Sequence, residues 1–194
     1  MKFKTFIFLL IVFGTSVIQA QIIKNRITFK PGFSLYNSIT KVNNEFEKVP
    51  NINFEINYGT AGFLETGVYV GFSNFDVHKY NPADSIFTSG KSLATYYGAN
   101  INVHFLPLLI QPEDFRFDFY ATTKIGARHL SGAESTVPKN EFIWAGGVGL
   151  SFYLWKKTGF FVESTYGKYN FHEFLVESVT DNINWRYGIT FKFK

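Results

Sequence analysis

Cysteine is absent from the 194-residue chain, which excludes disulfides, thiolate metal sites and a cysteine nucleophile. A lipid anchor on an N-terminal cysteine is excluded for the same reason. After residue 20 no run approaches the roughly eighteen consecutive apolar residues that a membrane-crossing helix needs. Charge is sparse at 18% of residues, and no run of one sign follows a helical face, so nothing resembles a nucleic-acid footprint. Aromatic residues are abundant instead: they make up 20% of the chain and include 24 Phe, while the mean hydropathy is close to zero. A chain this aromatic and yet apolar only in half its residues must gather its apolar side chains on one surface.

The first twenty residues read as an address. Lys2 and Lys4 form a basic start, Phe6 to Phe13 is unbroken apolar sequence, and small or polar residues follow down to Ala20. That order is a secretory signal, too short for a stable transmembrane helix. The expected organisation is a signal peptide over 1–20 and one domain over 21–194. Without Lys2 and Lys4 the balance is 17 basic residues against 15 acidic.

The remainder alternates with a period of two in eight segments, the pattern of strands, and no segment keeps a helical period. Ile27, Phe29, Pro31, Phe33 and Leu35 share one face of the first; Ile52, Phe54, Ile56 and Tyr58 share one of the second. The third sets Leu64, Thr66, Val68, Val70 and Phe72 together, and the fourth runs over alternate residues from Leu93 to Phe105. Phe115, Phe117, Phe119, Ala121, Thr123 and Ile125 form the fifth face, and alternate residues from Phe142 to Leu154 the sixth. Phe160, Val162, Ser164 and Tyr166 form the seventh, and alternate residues from Ile183 to Phe193 the eighth. No position on these eight faces carries a charge.

The opposite phase decides what the uncharged faces meet. It holds Arg26, Lys30, Arg116, Lys124, Arg186 and Lys192 together with Glu55, Glu65, Asp118 and Glu163. It also holds Gly32, Gly67, Gly71, Gly98, Gly126, Gly147, Gly149, Gly167 and Gly188. Solvent imposes no steric demand for glycine, and glycine weakens a strand. Inside a narrow eight-stranded barrel, small residues make room for long polar side chains, and near-equal numbers of opposite charges pair. The polar face is therefore expected inside and the apolar face outside, toward lipid. Link lengths agree. Residues 37–49, 74–91, 128–140 and 170–181 form long links, alternating with short ones at 59–62, 106–114 and 156–158, as in a barrel with tight periplasmic turns and long outer loops. Tyr58, Phe105, Phe115, Phe142, Trp144, Trp155 and Trp185 stand near strand ends, where aromatic girdles form.

In pattern and topology, residues 25–193 resemble the small eight-stranded outer-membrane barrels of gram-negative bacteria, the class of the OmpA and OmpX barrels. The resemblance implies an all-β, eight-stranded antiparallel up-and-down transmembrane barrel in the outer membrane, with a polar interior and four long outer loops. Its partners would be outer-membrane lipid and, during insertion, the barrel-assembly machinery. Proteins of that class commonly finish on an aromatic residue; here Phe191 and Phe193 are followed by Lys194.

Chemistry beyond this is thin. Arg128-His129-Leu130-Ser131, with Glu134 and Glu141 following, offers a base, a hydroxyl and a carboxylate, the components of acyl transfer. It resembles the His-x-Ser of outer-membrane lipid A deacylases, although Gly132 stands where that family has Asn and three strands follow the motif. The alternative to a barrel without catalytic residues is thus the set His129, Ser131 and Glu134. His78, His129 and His172 fall in different outer links without ligand spacing, so no metal is expected, and no cofactor. Eight strands leave a lumen filled by side chains, which favours a plugged interior over a pore. A soluble lipocalin-like carrier is the competing fold, but no Gly-x-Trp occupies the first strand and no helix follows the eighth. The expectation is a monomeric barrel without nucleic-acid partners, structural or acting on an unidentified extracellular ligand through its loops.

Overall fold

In the computed structural model, which describes residues 23–42, 45–81, 86–109, 116–131, 140–168 and 183–193, the alternating segments are strands. They are β1 (Ile27–Val42), β2 (Glu45–Gly59), β3 (Leu64–Asn81), β4 (Ile86–His104), β5 (Phe117–Ser131), β6 (Asn140–Tyr153), β7 (Thr158–Lys168) and β8 (Ile183–Phe193). One helical turn, α1 (Leu106–Leu109), interrupts the link between β4 and β5. The proposed signal peptide lies outside the described residues.

Each strand pairs antiparallel with its neighbour in sequence, and β1 pairs with β8 from Ile27↔Phe193 to Leu35↔Trp185, so the sheet closes on itself. Over the span where β1 meets β8 the sheet has no free edge, the condition for a sheet surrounded by hydrocarbon. The shortest strands, β7 and β8, have 11 residues. At about 3.3 Å per residue and a tilt near 45°, they rise about 25 Å, which matches the apolar band of a membrane barrel.

Side-chain polarity is the reverse of a water-soluble barrel. Along β2, Asn51, Asn53, Glu55 and Asn57 are buried while Ile52, Phe54, Ile56 and Tyr58 are exposed. The same inversion holds around the circumference, where Phe33, Val68, Ile101, Ile125, Trp144, Val148, Phe160 and Trp185 all face outward. Rings on this outer surface pair across strands: Phe117 and Phe152 lie 4.9 Å apart between centroids, and Phe105 and Phe119 lie 5.4 Å apart. Such a surface would drive aggregation in water, whereas hydrocarbon solvates it.

Glycine is needed inside because large side chains occupy the axis. A Cβ on Gly149 would come within 2.2 Å of the Tyr120 ring, and one on Gly32 within 2.8 Å of the Phe161 ring. Two bulky residues thus fit in a narrow lumen opposite residues that have no side chain.

Three of the long links are shorter than the sequence expectation. Most of residues 37–49 and 74–91 continues the strands: Asn37 pairs with Lys48 and, after a register shift, Lys41 and Val42 pair with Phe46 and Glu45, while β3 and β4 stay paired from Asn74↔Leu93 to Asn81↔Ile86. β5 likewise runs on from Arg128 to Ser131. The period-two pattern of the sequence ends before the backbone pairing does, so the hairpins are longer than their apolar stripes.

The end of the barrel that carries both chain termini of the sheet is closed by a turn ahead of β1. Asn25 has a left-handed backbone (φ 64), its N–H donates to the Gly59 carbonyl at 2.8 Å, and its side chain accepts from the Tyr58 hydroxyl at 2.8 Å. Asparagine tolerates that conformation at little cost. The turn tucks Ile23 into the barrel mouth, where it is buried. Gly59 permits this approach, since a Cβ there would sit 1.7 Å from the Ile23 carbonyl oxygen.

Candidate functional site

The charges drawn inward by alternation collect into two groups. At mid-height, Glu55 of β2 and Glu163 of β7 face Lys30 of β1, Lys124 of β5 and Arg186 of β8. Glu55 lies 3.1 Å from the Lys124 ammonium and 3.7 Å from that of Lys30, and it also pairs with the Arg186 guanidinium. Glu163 accepts from Lys124 and lies 3.6 Å from Arg186, its cross-strand partner on β8. Neutral groups complete the shell of Glu55. Asn57 donates to it at 2.7 Å, and Asn100 and Asn102 each at 3.2 Å. Arg186 further donates to Asn53 and to the Lys30 carbonyl. The Lys30 ammonium lies 4.0 Å from the centroid of the Tyr120 ring, and the Tyr120 hydroxyl reaches Glu163 at 3.3 Å.

Nearer the termini, Glu65 of β3 and Asp118 of β5 share Arg26 and His104. Arg26 bonds Glu65 at 2.7 Å and lies 3.6 Å from Asp118. His104 is held between the two carboxylates, its Nδ1 at 2.8 Å from Asp118 and its Nε2 at 3.1 Å from Glu65. Thr28 donates to Glu65 at 2.7 Å. Charges removed from water in this way are retained only when they are paired and hydrogen-bonded, and each carboxylate here has at least two such neighbours.

Of the ten charged residues read from the polar phase, Arg26, Lys30, Glu55, Glu65, Asp118, Lys124, Glu163 and Arg186 are buried in these groups. Lys192 is half-buried, with its ammonium 3.2 Å from the centre of the Tyr153 ring. Arg116 is elsewhere: it precedes β5, is exposed, and contributes its backbone carbonyl to Tyr153 at 2.6 Å. The alternation starts two residues ahead of the strand, because Phe115 continues the pattern of Phe117 and Phe119 although the strand begins at Phe117.

Reading the phase by charge missed the neutral and ring partners. His104 and Asn51, Asn53, Asn57, Asn100 and Asn102 occupy the same inward positions, and their phase was the available signal. Arg128 was read as part of an outer-lip motif; it is instead an inward, fully buried side chain opposite Tyr96 of β4.

At the lip itself His129 and Ser131 share the outward phase of β5, but their polar atoms are turned to other partners. The His129 Nδ1 meets Asn140 at 2.7 Å, and the Ser131 hydroxyl donates to the Leu93 carbonyl at 3.4 Å. Glu134 and His172 lie outside the described residues, as do the side chains of Glu141 and His78. Among the described residues no group of three or more His, Asp or Glu side chains is placed so that it could hold a metal ion.

No family model matches the sequence, and no curated protein matches it. The outer membrane protein OprG from Pseudomonas aeruginosa superposes with a TM-score of 0.58 at 11% identity, over 88% of this chain and 96% of that one. The fold is that of a small eight-stranded outer-membrane barrel. The N-terminal barrel domain of Pseudomonas aeruginosa OprF also matches (TM-score 0.49, 11% identity, 88% of this chain and 98% of that one). So does Neisserial surface protein A (TM-score 0.48, 11% identity, 87% and 96%). At such identities the likeness to OprG is one of architecture. The lipid-facing exterior follows from this chain's own side chains.

Proposed function

We propose that the protein is an integral outer-membrane barrel whose interior is a packed ionic plug, and that it serves as a structural or surface-interaction protein through its outer hairpins and loops. One observation carries this reading: apolar rings cover the outside of a closed barrel while Glu55, Glu163, Lys30, Lys124 and Arg186 fill its axis. Salt bridges that cross the lumen at two heights fill an eight-stranded barrel with side chains, which disfavours transport relative to a scaffold role. Recognition then falls to the segments that project from the rigid wall on the side away from the termini. The outer leaflet, the assembly machinery and a monomeric state follow from the same reading, as does the absence of a cofactor.

The test is cellular fractionation followed by electrophoresis of unboiled and boiled samples. A band in the outer-membrane fraction that changes mobility on boiling supports the reading. A soluble periplasmic band with no heat-dependent shift would reject it.

A further inference from the structure

We propose that residues 23–25 form a hinged stopper that controls whether water at the termini end of the barrel reaches the group of Arg26, Glu65, His104 and Asp118. The strand ladders begin just after Arg26, where Ile27 pairs with Tyr58 of β2 and with Phe193 of β8. Ile23, Lys24 and Asn25 lie ahead of that frame. Lys24 and Asn25 are exposed while Ile23 is only 1% exposed, so the segment presents a single buried peg.

The peg takes the place of a missing side chain. Gly59 continues the inward phase of Asn53, Glu55 and Asn57, and a Cβ on it would collide with the Ile23 carbonyl group and lie 3.1 Å from the Ile23 Cγ2. Ile23 thus fills the last inward position of β2. Glu65, the register partner of Gly59 on β3, is fully buried, and its carboxylate accepts from Arg26 and Thr28. The Glu65 Oε2 and His104 Nε2 atoms lie 3.1 Å apart without forming a hydrogen bond, and among the described residues neither has another. Buried polar atoms left in this way are the ones that an entering water molecule satisfies.

Few bonds hold the peg. The Asn25 N–H donates to the Gly59 carbonyl at 2.8 Å, the Arg26 N–H to the Ile23 carbonyl at 3.0 Å, and the Tyr58 hydroxyl to the Asn25 side chain at 2.8 Å. Arg26 is anchored separately: its carbonyl accepts from the Gly59 N–H at 2.8 Å, and its guanidinium holds Glu65 at 2.7 Å. Asn25, with its left-handed backbone, is therefore the hinge, and residues 23–25 can swing out while Arg26 and every ladder stay in place. A segment tied down by a few bonds and one buried side chain opens far more readily than the barrel unfolds.

The chain has no cysteine, so an introduced thiol is a unique probe. Thr28→Cys places one beside Glu65, where Thr28 is fully buried, and Ser34→Cys places one on the far side of the mid-height charges. Each barrel is folded in detergent micelles, which leave both ends accessible to iodoacetamide, and alkylation is followed by mass spectrometry. Three backgrounds are compared: the natural sequence, Ile23→Gly, which removes the side chain of the peg, and Gly59→Ala, which puts a methyl group in its seat. Burial of one isoleucine biases an equilibrium by roughly tenfold or more, so alkylation of Thr28→Cys should speed up by about that factor in either altered background. The rate for Ser34→Cys should not change. Equal rates for Thr28→Cys in all three backgrounds overturn the stopper. So does a parallel rise for Ser34→Cys, which would mean that the whole barrel had loosened. Heat-shifted mobility shows that each variant has folded, and if Gly59→Ala does not fold, Ile23→Gly decides alone.

Discussion

Replacing Glu55 by Gln tests whether the axis is held by charge. Glu55 is fully buried and faces three cations, Lys124 at 3.1 Å, Lys30 at 3.7 Å and Arg186 in direct contact. At an effective dielectric near 20, a unit charge at 3.1 Å interacts by roughly 5 kcal/mol. Much of that is offset by the desolvation Glu55 no longer suffers as an amide. What remains is the cost of leaving Lys30, Lys124 and Arg186 with Glu163 alone, and breaking a buried pair in this way costs about 3–5 kcal/mol. Shape and the acceptor oxygen for Asn57 are kept, while an amide N–H replaces the oxygen that faces Arg186 and Lys124, so the loss is that of the charge and of those two contacts. The assay is reversible urea unfolding of the lipid-embedded barrel, read as the heat-shifted band. A drop in the midpoint with an unchanged slope is expected. Removing a cation as well, in Glu55→Gln/Lys124→Met, should return at least about 1 kcal/mol. A single-variant loss below about 1 kcal/mol would refute the reasoning, since it would mean that solvent reaches the site and screens the charges.

Three further outcomes follow from the same geometry. Val148 faces outward at the height of Glu163, so Val148→Arg should cost about 2–4 kcal/mol in a bilayer, measured by the same unfolding assay; a neutral result would mean that water covers that face. His104→Ala removes the ring between Asp118 and Glu65 and should cost about 2–4 kcal/mol, with His104→Phe no better, because two carboxylates lose a partner. Gly149→Ala places a methyl group within 2.2 Å of the Tyr120 ring and should cost about 1–3 kcal/mol. Combination with Tyr120→Leu should recover part of it.

The architecture was legible because lipid imposes a strict rule on one face of every strand, and a rule of period two survives in the sequence. That is why Ile52, Phe54, Ile56 and Tyr58 could be set apart from Glu55 and its neighbours without coordinates. The hairpin extensions were hidden because the apolar alternation lapses in the sequence of residues 37–42 and 74–81 although the backbone there stays in strands. Arg116 was misplaced for a related reason, since an aromatic residue just before a strand looks like its first outward position. The partition of the interior charges had no local signature at all. Glu55 meets Lys124 and Arg186 because closure brings β2, β5 and β8 around one axis, and nothing near any of these residues in sequence specifies that meeting. His104 was visible as an inward residue, but its place between Asp118 and Glu65 depends on neighbouring strands in the same way.

Quenching of tryptophan emission by lipids brominated along their acyl chains tests the inside-out polarity most directly. Trp144 and Trp185, two of the three tryptophans, lie on the outer wall. The folded barrel should be strongly quenched when brominated lipid replaces ordinary lipid, and bromide ions in the aqueous phase should have little effect. Emission untouched by the brominated chains, from protein that shows the heat-shifted band, would contradict the account.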